Sequence, residues 1–177
     1  MPQDRTVGAQ PAQPPGDFIP MRGDPQVLTV LRQLLKYELT AINQSFLHAR
    51  MCLDWGYDSL AKRIRKDSIA NMVFAEQLID RILFLEGMPN LRDTYSVKVG
   101  SDIGEMHSHD RKLAKQTADC ANAGVSTCTE RGDDASRELM ESILTKEEDR
   151  IDWLESQLQI IKDTGLGLYL AQQIRHD

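Results

Sequence analysis

Glu38 and Glu147 each stand in the middle of an apolar stripe where an aliphatic side chain belongs. Around Glu38 the stripe is Leu28, Leu31, Leu35, Ile42, Ser45, Ala49 and Cys52; around Glu147 it is Met140, Ile143 or Leu144, Ile151, Leu154, Leu158 and Ile161. Spacings of three and four put each set on one inward face of a helix. A carboxylate buried there without a partner costs several kcal/mol, so each glutamate requires a metal, a cation or a shared proton, unless it tilts to solvent at the edge of the stripe. A second feature is apolar. Ile69, Met72 or Val73, Ile79 and Leu83 form a stripe on a different face from Ile64, Phe74, Leu78 and Leu85, and a helix apolar on two sides packs on two neighbours. Leu39 and Phe46 do the same for the preceding helix, so the two outer faces suggest an isologous contact between two copies of the chain. By spacing alone, Met72 is a gap-filling packing residue of that patch.

The elements that carry these residues are helices. Apolar periodicity predicts them at 25–54, 58–86, 102–130 and 134–164, with a short one at 167–175. Gly56, Gly87, Gly100, Gly132 and Gly165 fall at the breaks, Asp24 is placed to cap the first helix, and Pro25 sits in its first turn. The first and second helices, and the third and fourth, are joined by short turns and so run antiparallel, whereas Gly87 to Ser101 is long enough to cross the length of a bundle. This is an all-α chain: two antiparallel pairs, one long crossover between the second and third helices and a short fifth C-terminal helix, the plan of a ferritin-like four-helix bundle. Pro2, Pro11, Pro14, Pro15 and Pro20 crowd the first twenty residues, which have little to bury; residues 1–20 are expected to be a disordered tail and 21–177 the domain.

A di-iron bundle takes a Glu from each of two helices and a Glu-x-x-His from each of the other two, because residues three apart share a face. The corresponding stretches here read Asn71-Met-Val-Phe74 and Glu147-Glu-Asp-Arg150, and the third helix offers only Leu113-Ala-Lys115. Only Glu38 and Glu147 remain as strong ligands, too few for a tight di-iron centre. Arg150, one turn beyond Glu147, can instead place its guanidinium between the two carboxylates.

The chain has 177 residues, with 21 Lys+Arg against 27 Asp+Glu and a formal charge of −6. No basic patch for nucleic acid dominates. No apolar run is long enough to span a membrane, and no apolar block marks a secretory leader, so a cytoplasmic protein is expected. The three cysteines, Cys52, Cys120 and Cys128, form no CxxC pair and read as small packing residues.

Met21-Arg-Gly-Asp24, Glu38-Leu-Thr-Ala-Ile-Asn-Gln44, Phe46-Leu-His-Ala-Arg50, Arg81-Ile-Leu-Phe-Leu-Glu-Gly87 with Pro89-Asn-Leu91, and Ile151-Asp-Trp-Leu154 resemble the bacterioferritins, from Met21 to the C-terminus without evident gaps. The resemblance implies a 24-subunit hollow shell that stores ferric mineral, binds haem b at twofold contacts shared by two subunits, and lines its fourfold axes with the fifth helix. It implies Met72 as the axial thioether on the haem iron, flanked by Leu39, Asn43, Phe46, Ile69 and Val73. Soft sulfur ligation and burial tune the potential of such an iron. It also makes Glu38 and Glu147 residual positions of the family's ferroxidase centre. Asn71, Phe74, Ala114 and Arg150 stand in place of the other ligands, Ser45 in place of a nearby tyrosine, and Lys66 and Ala70 where some members carry an inner-surface iron site.

The function so implied is haem-carrying iron storage with a degenerate di-iron centre. On that resemblance a second, ferroxidase-competent bacterioferritin subunit is expected to co-assemble with this chain and oxidise Fe(II), and haem to pass electrons inward for iron release, supplied by a bacterioferritin-associated ferredoxin. Two other readings are a homopolymeric ferroxidase using Glu38, Glu147 and unusual ligands, and a non-mineralising haem-binding shell protein. His48 is expected to be packed and hydrogen-bonded. His107 and His109, two apart on a helix, are expected to be solvated, as are Asp54, Glu86 and Asp152 at positions that can line ion pathways in the family.

Overall fold

A computed structural model describes residues 22–174. Its helices are α1 (Pro25–Asp54), α2 (Asp58–Phe84), α3 (Ile103–Arg131), α4 (Asp134–Thr164) and α5 (Leu166–Ala171), with no strand among the described residues. The all-α, ferritin-like plan is therefore observed, while the expected tail at 1–20 lies outside the described residues.

Local chemistry sets the ends. The Asp24 carboxylate accepts from the Gln26 amide at 2.8 Å and Pro25 fills the first turn of α1. Asp102 accepts from the Glu105 amide at 2.9 Å while Glu105 reaches back to the Ser101 amide at 2.8 Å, a reciprocal cap for α3. Asp133 caps α4 through the Ser136 amide at 3.0 Å. The second helix stops at Phe84 rather than 86 because Glu86 turns left-handed, at φ 59°, and the Gly87 amide closes on the Ile82 carbonyl at 2.8 Å. The last helix is shorter than expected, ending at Ala171.

α1 packs along α2, α3 along α4, and α1 also lies against α3. The crossover from Leu85 to Asp102 is pinned to α1 by side chains one helical turn apart. Thr40 Oγ1 accepts from the Tyr95 amide at 2.9 Å, Gln44 Oε1 from the Lys98 amide at 2.9 Å, and His48 Nε2 from the Gly100 amide at 3.5 Å. An extended segment without a sheet thereby satisfies backbone donors that would otherwise lack partners.

Two apolar clusters fill the bundle. One is built on Leu31, Leu34, Leu35, Leu78, Ile82, Met140 and Ile143, the other on Cys52, Leu60, Ile64, Ile103, Met106 and Tyr169. Between them in every long helix comes a buried polar layer: Glu38 and Ser45, Asp67 and Asn71, Asp110 and Thr117, Glu147 and Arg150. Leu28, Ile42, Leu144, Ile151, Leu158 and Ile161, expected on the inward stripes, are only half-buried.

Candidate functional site

The polar layer is held at three levels. At the first, Glu38 of α1 and Glu147 of α4 are completely buried, and the cation between them belongs to Lys146. Its Nζ lies 3.4 Å from Glu38 Oε2 and also donates to Glu147 Oε1 and Asn71 Oδ1. The ammonium stands 5.4 Å from the Phe74 ring centre, within reach of the ring's negative face. Burial pushes the Glu38 carboxyl up to about 7, with the Glu147 charge acting in the same direction and Lys146 against it.

At the second level Arg150 is the hub, and this corrects the expectation that its guanidinium lies between Glu38 and Glu147. It donates to Ser45 Oγ at 2.9 Å and stands 3.9–4.0 Å from three carboxylates, Asp67, Asp110 and Glu147. Burial opposes its charge, but those carboxylates outweigh it and hold Arg150 above its ordinary value. Asp67 is also bridged by Arg63 at 2.6 Å, yet burial still raises it. At the third level Asp110 accepts from Gln44 at 2.8 Å and pairs with His48 Nδ1 at 3.1 Å. Burial alone raises Asp110, but the His48 hydrogen bond and the Arg150 charge bring it below the usual carboxylate value. Because the Gly100 amide donates to Nε2, His48 Nδ1 is the donor; His48 is packed and hydrogen-bonded, as expected.

This layer does not fit a di-iron centre. Such a centre needs several anionic or imidazole ligands around open metal positions. Here Ala114 is buried and carries no ligating atom, Asn71 and Arg150 supply no anion, and an ammonium occupies the space between the two glutamates. Among the described residues, no group of three or more His, Cys, Asp or Glu is placed to hold a metal ion.

Lys146 escaped the sequence reading because residues adjacent on a helix do not share a face. Its four-carbon stem sweeps round from the half-buried edge and carries the charge inward. His107, expected to be solvated, departs from its spacing as well. It is fully buried at the far end of the bundle, where Nε2 meets the Tyr169 hydroxyl at 3.1 Å, and that hydroxyl meets Gln157 at 2.9 Å. Burial lowers its pKa to about 4. His109 is half-buried, and Asp54, Glu86 and Asp152 are exposed as expected.

The outer face is a different environment. Met72 is 54% exposed, and it lines a groove of about 580 Å³ together with Ile42, Ile69, Val73, Ala75, Glu76 and Ile79. Ile42, expected to point inward, is part of this groove. Leu39, Asn43 and Phe46 recur at four and three residues on α1; Leu39 is half-buried, and Asn43 and Phe46 are exposed. The groove offers what a large planar apolar ligand with a soft metal requires: aliphatic side chains and a thioether on an exposed methionine. Lys66 is exposed and Ala70 half-buried. No helix among the described residues is long and apolar enough to cross a membrane.

Residues 28–164 match the Ferritin family, described as a ferritin-like domain. The chain is 40% identical to the bacterioferritin of Mycolicibacterium paratuberculosis over 86% of its own length and 96% of that protein's. It is 42% identical to the bacterioferritin of Streptomyces coelicolor, over 87% and 92%. To that of Brucella melitensis it is 38% identical, over 84% and 92%.

Proposed function

This chain belongs to the bacterioferritin family, and from that premise we propose that it is a haem-carrying iron-storage subunit whose own bundle does not oxidise iron. It takes its place in a 24-subunit shell around ferric mineral, with α5 at the fourfold axes, in the cytoplasm. Haem b lies at the twofold contact of two copies, each presenting Met72 to the haem iron. Bound there, the haem supplies a one-electron couple for releasing stored iron. The chain's own residues do the rest: Met72 donates a neutral soft sulfur, Leu39, Phe46, Ile69 and Val73 exclude water from the ring, and Asn43 supplies a polar group at the rim. Burying a haem between apolar faces and ligating it with thioether favours the reduced iron.

Oxidation of Fe(II), the incoming substrate, falls to a second bacterioferritin subunit with a complete ligand set, and electrons arrive from a small ferredoxin. The division of labour is supported by the Lys146 ammonium lodged between Glu38 and Glu147. The haem role rests on one observation above all, a methionine sulfur exposed at an apolar groove on the outer side of the bundle. Reconstitution with haem tests it. The wild-type protein is expected to give a low-spin spectrum with a sharp Soret band, and Met72→Leu, a volume-conserving exchange, to lose that low-spin state while the shell still assembles. Retention of the low-spin spectrum in the variant overturns the assignment. Native mass spectrometry of particles from the source cells is expected to find two subunit masses in one shell.

A further inference from the structure

Three oxygens from three helices, Glu38 Oε2 of α1, Asn71 Oδ1 of α2 and Glu147 Oε1 of α4, converge on the single nitrogen of Lys146. That is the surrounding of a bound cation, except that the cation is tethered to the chain. Further capacity around it is unused. Glu38 Oε1 and Glu147 Oε2 are buried without a hydrogen-bond partner. One positive charge faces two fully buried carboxylates, and Arg150, 4.0 Å from Glu147, divides its charge among Asp67 and Asp110 as well. The Lys146 side chain is 17% exposed against 0% and 1% for the two glutamates, so it is the one member of the cluster with an edge toward water.

We propose that Lys146 is a built-in competitor for a single divalent-cation site. Its ammonium holds the place that a hard, oxygen-seeking ion would take between Glu38, Asn71 and Glu147, and its removal opens that place. This rests on the reading that the wild-type interior carries no di-iron centre. The physical basis is charge and reach. Removing the ammonium leaves two buried carboxylates with only a shared guanidinium, a costly state that either a proton or a metal ion relieves. Carboxylate and amide oxygens suit Mg(II), Mn(II) and Co(II), with water completing the shell. A tethered ammonium has a high local concentration that a free ion must overcome. The wild-type site is therefore shut without any loss of its oxygens.

Titration of the assembled protein with Co(II), followed by visible absorption and by the thermal unfolding midpoint, tests this. Lys146→Ala is expected to gain one Co(II) per chain over the wild type, with new d–d bands and a midpoint that rises with Co(II) concentration; Lys146→Ala combined with Glu38→Gln is expected to lose both. Lys146→Gln, which keeps most of the stem, gives the same comparison should the alanine variant fail to assemble. No added Co(II) in either single variant, or a gain that survives Glu38→Gln, overturns the role of Lys146 and leaves the reading of the wild type standing. The same bands in the wild-type protein, lost on Glu38→Gln, overturn that reading itself.

Discussion

Asn71 and Met72 are consecutive on α2, and they meet opposite surroundings. Asn71 turns inward and accepts a hydrogen bond from Lys146, within a layer where the chain supplies both the anions and the cations that balance them. Met72 turns outward, 54% exposed, onto a groove of aliphatic side chains. The oxygen-rich interior is closed by its own ammonium and guanidinium. The sulfur-bearing exterior stays open to solvent in the single chain. In this bundle the buried carboxylates are balanced by cations of the chain itself, so the core is held without any outside charge.

That comparison breaks most visibly at Arg150. Arg150→Ala removes the shared partner of Asp67, Asp110 and Glu147 and is expected to cost about 3–5 kcal/mol, read as a lower denaturant midpoint. A loss under about 1 kcal/mol, the size of an ordinary substitution, would mean that the carboxylates do not depend on it.

A second break comes from pH, at the far end of the interior. In the unfolded chain His107 takes its proton near the ordinary 6.5, in the fold only near 4. Between those values the unfolded chain binds more protons, so the stability that His107 contributes is full above about 6.5 and is lost as pH falls toward 4, by up to about 3 kcal/mol. Glu38, raised to about 7, acts in the opposite sense. Stability curves of His107→Gln and the wild type separate the two: the variant is expected to lack the acid-side fall attributed to His107, and identical pH profiles would contradict the buried, neutral imidazole.

The outer face gives the smallest effect on the subunit and the sharpest contrast. Ile69→Glu, on an exposed position, is expected to change subunit stability by no more than about 0.5 kcal/mol and to leave helicity intact. Gel filtration is expected to show smaller particles and haem titration no binding, because in the proposed assembly a carboxylate would be buried at the contact of two copies. Full-size, haem-loaded shells would remove Ile69 from that contact.

How much of this was legible in the sequence follows from the range of the forces involved. α1 and α4 have the ends that the spacing predicts, since Asp24, Pro25 and the glycines at the breaks, Gly56, Gly132 and Gly165, act on their immediate neighbours. The end of α2 was not, because nothing local announces that Glu86, rather than Gly87, takes the left-handed turn. Glu38 and Glu147 were visible as charged residues on apolar stripes. What balances them was not: Lys146 lies one residue from Glu147, off its face by helical geometry, and only a long flexible stem brings its charge back. Arg150 is a counter-charge to Glu147, as its spacing predicts, but its other partners are Asp67 and Asp110 rather than Glu38, since these come from helices whose lateral approach no spacing encodes. His107 looked solvated for the same reason; Tyr169, its partner, arrives on α5 from 62 residues away.

We propose an interior that does not grip iron and an outer face that holds haem through sulfur. The most direct measurement is aerobic stopped-flow oxidation of Fe(II) by this chain alone, as purified haem-loaded shells. No rapid, saturable oxidation phase is expected. A fast phase that saturates at a fixed number of Fe(II) per chain and disappears in Glu147→Gln would contradict it.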